Sequence, residues 1–586
     1  MTTDIASLRS LWQSQWSSAL FVWSPFVQLH EPIWCETLAE EKEAGLTGSF
    51  AMIRLVDHSV VISLRQIAER GLESFAVEIL ANEVGHHVLC PADLTDNARL
   101  LSRIRRGLPG LESYSPMVSN LYSDLMINDR LQRSDSLDIV GVYSKIVEKS
   151  DSKLWLLYMR MYELLWKLPP QSLALGVVDE RMNQDAMLGT RLIRSYARDW
   201  LGGGGRFACL CFPYVEQDKE AAMKAFKVWC DAIGAGNGGF PDGLSEEDAD
   251  EAGSVMHPAE DPALSGILNA SDGQSGSGRV RSEDSGIKSE KKSRGPFEYR
   301  EILEASGVHL DPREIAAIFY RERAVPHLIP FPSRVSNQST DPLPEGLDLW
   351  EVSSPLEQID WWATLLNSPE VVPGITTRER LMGTSPGAEP ERIPLDLYLG
   401  VDCSGSMPDP AINMSYPILA GAIMVLSAIR AGANVKVVLS GEPGKTISTD
   451  GSIRDPKACL QVMTNYLGTG YSFGIHRLAE TFSPKAKIPR PVHVLIISDS
   501  DMFRMLEQKG SGRVGWDVAR EAASLCGGGA TYVLQIAGGA NILNSNAGYK
   551  FLDMKSSGRN VHLVDSMDEL LVFARQFSQS KYGVMR

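Results

Sequence analysis

The run from Leu395 to Val401 is mostly apolar and ends in Asp402-Cys403-Ser404-Gly405-Ser406. A short apolar run of this kind reads as a strand buried on both faces, and such strands belong to parallel sheets covered by helices. The residues that follow it are polar and small. In the pattern D-x-S-x-S, one carboxylate and two hydroxyls can converge on one ion at the strand mouth, and Gly405 is expected to let the loop turn tightly enough to bring them together. Hard oxygen donors favour Mg²⁺ or Mn²⁺ over zinc. The pentapeptide alone is weak evidence, because Ser, Gly and Asp also make ordinary turns.

Two further pieces strengthen it. Thr469 lies in Gly468-Thr469-Gly470, and Asp499 ends the strand-like run Val492 to Ile497 in Ser498-Asp499-Ser500-Asp501. Three loops then supply one site. With these residues in place, the carboxyl-terminal segment resembles a von Willebrand factor A (VWA) domain carrying a metal-ion-dependent adhesion site. The resemblance implies that Asp402, Ser404, Ser406, Thr469 and Asp499 hold Mg²⁺ or Mn²⁺, some through water, and that a partner's Asp or Glu fills an open coordination position.

The surrounding pattern points the same way without the family. Tyr416 to Arg430 reads as a helix with Pro417 in its first turn and Gly432 past its end. Val435 to Leu439, Thr531 to Ala537 and Asn560 to Val564 read as strands, Asp517 to Leu525 as a helix, and Ser566-Met567-Asp568-Glu569 as a capping box opening a last helix through Phe577. Strands alternating with helices predict a doubly wound, mostly parallel sheet with ligands outside the carboxyl ends of the strands.

Composition sets the outer limits. A chain of 586 residues, 44% hydrophobic and 22% charged, has length for about three or four domains. No run approaches the ~18 uncharged apolar residues of a membrane span, and Met1 to Gln15 lacks the form of a secretory signal. A cytoplasmic protein is expected. The eight cysteines show no C-x-x-C pair, so buried thiols are expected, with Cys209-Leu210-Cys211 in strand core. A net charge of −16 argues against a nucleic-acid partner, leaving only a local basic patch such as Arg103 to Arg106.

Residues 232–296 turn to Gly, Ser, Asp, Glu and Lys, a composition expected to form a disordered linker. It separates an amino-terminal α+β region (1–231) from an accessory α+β segment (297–392) and the VWA-like domain (393–586). In the accessory segment a helix is expected over Asp311 to Arg323, strands over His327 to Phe331 and Leu347 to Val352, and a helix around Leu356 to Leu366. Trp350, Trp361 and Trp362 are expected to fill a packing interface, and Gly202 to Gly205 to be a flexible turn.

In the amino-terminal region, strands over Gly48 to Val56 and Ser59 to Leu64 precede a helix over 73–89 bearing Asn82-Glu83-Val84-Gly85-His86-His87. In H-E-x-x-H, two imidazoles one turn apart bind zinc and the glutamate is the base for its water. Here Asn82 stands in the first histidine position, while Glu83 and His86 stand in the next two. A second helix over 119–132 carries Asn120 and Asp124 on one face. The order resembles a zincin-type metallopeptidase with a broken ligand set. The resemblance implies Glu83 as the catalytic position and His86, His87 and Asp124 as candidate zinc donors, Glu83 with His87 and Asp124 being another set. His86 and His87 point about 100° apart on a helix, which disfavours both binding one ion.

No phosphate loop, kinase set, serine-hydrolase elbow or dinucleotide fingerprint is present. The combination of a degenerate zincin-like region and a VWA-like domain resembles bacterial adaptors for MoxR-type AAA+ ATPases. A metal-dependent protein-interaction role, with such an ATPase or a protein client as partner, is therefore the expected function. A zinc peptidase served by its VWA-like half, or a metal-chelatase-like assembly subunit, are the competing expectations.

Overall fold

A computed structural model of the chain describes residues 5–582 except 47–48, 135–136, 148, 151, 219–231, 234–239, 242, 249, 266–293, 336–339, 353, 387–391, 441–443, 471–473, 487, 508, 511–512, 536–545 and 565. Its contacts divide it into two units, Met1–Ile315 and Ala316–Arg586. The α/β class expected from the alternation of strands and helices holds, with a six-stranded, mostly parallel sheet in the second unit. Among the described residues no helix is long and apolar enough to cross a membrane.

The first unit sets a small mixed sheet beside a larger set of helices. In chain order these are α1 (Ile5–Trp23), β1 (Ile33–Cys35), α2 (Leu38–Glu43), β2 (Ala51–Arg54), β3 (Ser59–Ser63), α3 (Leu64–Arg70), α4 (Ala76–Val88), α5 (Leu94–Arg106) and α6 (Ser115–Gln132). They continue with α7 (Ile139–Ile146), α8 (Lys153–Leu165), α9 (Glu180–Ser195), α10 (Trp200–Gln217), β4 (Ala232–Ile233) and α11 (Pro296–Ala305). The strand order is β1-β3-β2-β4, with only the β2–β3 pair antiparallel. Side-chain caps start many of the helices: Asp93, Ser152, Asp179 and Asp199 each accept a hydrogen bond from a first-turn amide.

Four expectations fail here, in whole or in part, for physical reasons. Gly202 to Gly205 are not a turn but lie inside α10, and Cys209 and Cys211 follow on the same helix rather than on a strand. Glycine is a poor helix former, yet a Cβ at Gly203 would lie 2.2 Å from the Tyr122 hydroxyl and one at Gly204 2.4 Å from Leu100 Cδ1. Close packing of α10 on α5 and α6 therefore requires the missing side chains, and tertiary contact overrides propensity. The supposed linker also orders in part. Leu244, Glu251, Ser254 and Asp261 are buried, and Arg206 Nε donates to Asp261 Oδ2 at 2.6 Å. The arginines of α5 are not a free basic patch, because Arg103, Arg105 and Arg106 pair with Asp248, Glu301 and Glu247 at 3.0, 2.6 and 2.8 Å. Acidic composition here supplies counter-ions for α5 rather than solvated charge. Residues 266–293 of that stretch lie outside the described residues.

Helix α12 (Pro312–Ala324) spans the division between the units. The second unit then runs β5 (Ser333–Val335), β6 (Thr340–Leu349), α13 (Trp361–Asn367), β7 (Arg378–Pro386), β8 (Arg392–Pro394), β9 (Asp396–Asp402), α14 (Tyr416–Arg430), β10 (Val435–Ser440), β11 (Thr446–Ser448) and α15 (Pro456–Met463). It ends with α16 (Ile475–Thr481), β12 (Val492–Asp499), α17 (Met502–Glu507), α18 (Gly515–Leu525), β13 (Gly527–Gln535), α19 (Asn546–Ser556), β14 (Asn560–Leu563) and α20 (Met567–Tyr582). His327 to Phe331 is not a strand, since residues 325–327 form a short 3-10 helix and β5 begins at Ser333. Trp350 is buried at 3% exposure, but Trp361 and Trp362 are 53% and 80% exposed, so among the described residues they do not fill the expected packing interface.

The large sheet has the order β11-β10-β9-β12-β13-β14, and only edge strand β11 is antiparallel. Both faces are covered, which is why the central strands are apolar throughout. On one face Tyr398, Val494, Ile496, Tyr532 and Leu534 pack with Leu478, Phe482, Phe503, Ala519 and Met554 from α16 to α19. On the other, α14 lies close: a Cβ at Gly421 would meet Ile497 Cδ1 at 2.9 Å and Leu399 Cδ2 at 3.4 Å. Ser415 caps α14 with its side chain, and Pro417 occupies the first turn where no amide partner is needed. The result is that β9 and β12 end side by side, with Ile497 opposite Val401.

Candidate metal centre

Where those two central strands end, Asp402 is 2% exposed and has no room to be solvated. Its Oδ1 accepts from the Ser404 amide at 2.8 Å, and its Oδ2 accepts from the Ser498 hydroxyl at 2.6 Å. Burial pushes the Asp402 carboxyl up to about 7, the Ser498 and Ser404 hydrogen bonds pull against it, and the charge of Asp499 adds to the rise. The Asp499 carboxylate is thus close enough to oppose ionisation of Asp402.

The Thr469 loop is tied to the Asp402 loop by backbone. Gly405 N donates to Thr469 O at 2.9 Å, Gly468 N donates to Cys403 O at 2.9 Å, and Ser404 and Thr469 form an isolated parallel bridge. The turn that needs glycine is at Gly468, with φ +58°, not at Gly405, whose φ is not positive. Ser404 Oγ and Ser406 Oγ lie 3.0 Å apart, and Asp499 Oδ1 accepts from the Asp501 amide at 2.7 Å. Asp402, Ser404, Ser406 and Thr469 are brought into one loop cluster, and Asp499 reaches it electrostatically. Ser498 is the member that strand pattern did not single out. It lies between the apolar run Val492 to Ile497 and Asp499, and its hydroxyl faces Asp402 on β9.

The cluster can be tested for fit to a hard cation. Thr469 Oγ1 is buried and has no hydrogen-bond partner among the described residues, which leaves a desolvated hydroxyl whose cost a bound cation would offset. Asp402 is a carboxylate that burial penalises unless a positive charge is present. The donors are oxygens throughout, which suits Mg²⁺ or Mn²⁺.

The amino-terminal motif helices form a different arrangement. Gly85 lets α4 approach its neighbours, since a Cβ there would lie 2.6 Å from Ile127 of α6 and 2.7 Å from Trp23 of α1. His86 is fully buried as a consequence, with Nδ1 3.1 Å from Cys90 O and Nε2 3.2 Å from Asp124 Oδ1. A carbonyl only accepts, so the Cys90 contact suits the tautomer with its proton on Nδ1. Burial raises the Asp124 carboxyl, and the His86 contact opposes that rise. His87 turns the other way and packs on the His58 ring with centroids 4.2 Å apart.

Asn82 Nδ2 donates to Asn128 Oδ1 at 2.9 Å, and Asn128 Nδ2 donates on to the hydroxyls of Tyr143 and Tyr162, each at 3.1 Å. Glu83, 1% exposed, lines a cavity of about 40 Å³ with Asn82, Asn128 and Tyr143. Of the candidate zinc donors, only His86 and Asp124 meet. Among the described residues no three His, Cys, Asp or Glu side chains are grouped to hold a metal ion.

No protein-family model matches the chain, and no curated protein matches it.

Proposed function

We propose that the chain is a metal-dependent protein-interaction adaptor whose second unit acts as a VWA-type domain. Asp402, Ser404, Ser406, Thr469 and Asp499 would hold Mg²⁺ or Mn²⁺. The observation that carries the reading is the buried, unpartnered Thr469 hydroxyl, tied by backbone to Ser404 beside the buried Asp402. When bound, the ion supplies positive charge and an open coordination position for an incoming carboxylate. The chain's own part is to hold the oxygens in place through Ser498, the Gly468–Cys403 hydrogen bond and the ends of β9 and β12. Without a cation, Asp402 and Asp499 repel an acidic ligand.

The partner proposed is an AAA+ ATPase of the MoxR type, or a protein client presented to it, in remodelling or complex assembly. Support for this partner is the resemblance of the motif set together with the lack of any nucleotide-hydrolysis signature in the sequence. The first unit is then a binding module in which the His86–Asp124 pair serves packing. The test is capture from native extract by the full chain in Mg²⁺, in EDTA, and with Asp402→Ala. Retention of an AAA+ ATPase only by the parent in Mg²⁺ is expected; capture indifferent to both metal and substitution refutes the docking role.

A further inference from the structure

Beside the first half of β13 lies a cavity of about 300 Å³ lined by Trp516, Arg520, Tyr532, Gly558, Arg559 and Asn560, with three alanines completing the wall. Asn560 is the first residue of β14, so the cavity opens toward the amino ends of the parallel strands. Asp402 sits at a carboxyl end. The two places are therefore at opposite ends of the sheet, and the cavity shares no residue with the candidate metal centre.

Its chemistry is also opposite. In a chain with a net charge of −16, the cavity is lined by two arginines and no carboxylate. Arg559 is held in place by stacking, its guanidinium carbon 4.4 Å from the Trp516 ring centroid. A guanidinium carries five N–H donors; among the described residues, only Ser557 Oγ takes a side-chain hydrogen bond from Arg559, at 3.1 Å. Arg520 stands at the rim, with its side chain 72% exposed and Asp517 Oδ1 3.4 Å away. That surface ion pair is weak and readily exchanged. A fixed guanidinium fork matches the planar edge of a carboxylate or the oxygens of a phosphate. Aromatic residues beside it, Trp516 at the side and Tyr532 as an inner wall, suit a flat apolar body. The volume stands at the lower end of small-molecule pockets, which run from about 300 to 1,000 Å³.

We infer that this cavity is a second binding site, for a small organic anion that joins one planar ring to a carboxylate or phosphate. Arg559 and Arg520 hold the anionic group, and Trp516 and Tyr532 hold the ring.

Calorimetric titration of the full chain with phenyl phosphate, benzoate and inorganic phosphate tests this. At least one ring-bearing anion is expected to bind, and at least tenfold tighter than inorganic phosphate. Whichever of phenyl phosphate and benzoate binds tighter identifies the anionic group. Arg559→Gln should weaken binding about tenfold and Arg520→Gln severalfold. Because Arg520 is exposed, its variant keeps the test valid even where Arg559→Gln lowers the melting temperature. Binding should persist unchanged in EDTA and in Asp402→Ala, which separates this site from the metal centre. No binding of either ring-bearing anion at millimolar concentration, equal binding of inorganic phosphate, or equal binding by the parent and both arginine variants would each overturn the inference.

Discussion

Replacing Thr469 by valine separates a hydroxyl that serves a cation from one that serves the fold. The two side chains have nearly the same shape, so little packing changes. Thr469 is 9% exposed and its Oγ1 has no hydrogen-bond partner among the described residues. A buried hydroxyl left in that state costs roughly 1–3 kcal/mol relative to one that is paired or solvated. In EDTA, Thr469→Val should therefore be as stable as the parent or more stable by about that amount. In Mg²⁺ the order should reverse. A ligand present at 100 times its Kd stabilises the parent by about 2.7 kcal/mol, and losing one oxygen donor should remove much of this gain. Calorimetric melting of both proteins in EDTA and in excess Mg²⁺ measures all four states. A variant destabilised by more than about 1 kcal/mol in EDTA would show that the hydroxyl has a structural partner. A variant that keeps the full Mg²⁺ gain would show that the metal does not use it; either result refutes the reasoning.

Protons should compete with the cation at Asp402. Its carboxyl lies at about 7 in the fold against an ordinary 3.8, so Mg²⁺ affinity should fall about tenfold per pH unit below pH 7, and a flat titration between about pH 5 and 7 would contradict this. By the same linkage the folded state holds the extra proton, so the metal-free chain loses stability as pH rises from about 4 to about 7; Asp402→Asn should lessen that loss in urea melts. His86→Ala leaves Asp124 buried without its partner and should cost about 3–5 kcal/mol, whereas a loss below about 1 kcal/mol would mean that the pair is dispensable. Gly528→Ala would put a Cβ 2.3 Å from Val492 O and 2.5 Å from its carbonyl carbon; the strands must shift at a cost of about 2 kcal/mol or more, and an unchanged melting temperature would show that they yield freely. Zinc measured on the purified chain should stay well below one ion per molecule, and a tightly held stoichiometric ion would restore the peptidase reading.

Local signals carried the second unit a long way. Helix α14 begins at Tyr416 and ends at Arg430, as Pro417 and Gly432 indicated, and β10, β12 and β14 lie where apolar runs place them. These elements are bounded by caps and by strands buried on both faces, both of which are local properties of the chain. The strand expected from Thr531 instead begins at Gly527. Glycines hid its start, because Gly528 is needed where the backbone of Val492 comes near.

What residue order alone determined was the chemistry available: acidic and hydroxyl oxygens at the ends of apolar strands, and an H-E-x-x-H-like pattern lacking its first histidine. Which of those groups meet was decided by packing. Ser498 joins Asp402 because β9 and β12 are neighbours, although 96 residues separate the two side chains. His86 meets Asp124 because Gly85 allows α4 to close on α6, while His87, one residue away, is carried around the helix to His58. The glycine run of α10, the counter-ions of α5 and the Trp516–Arg559 stack are of the same kind. Each depends on distances between segments remote in sequence, and side-chain spacing along one segment carries no information about them.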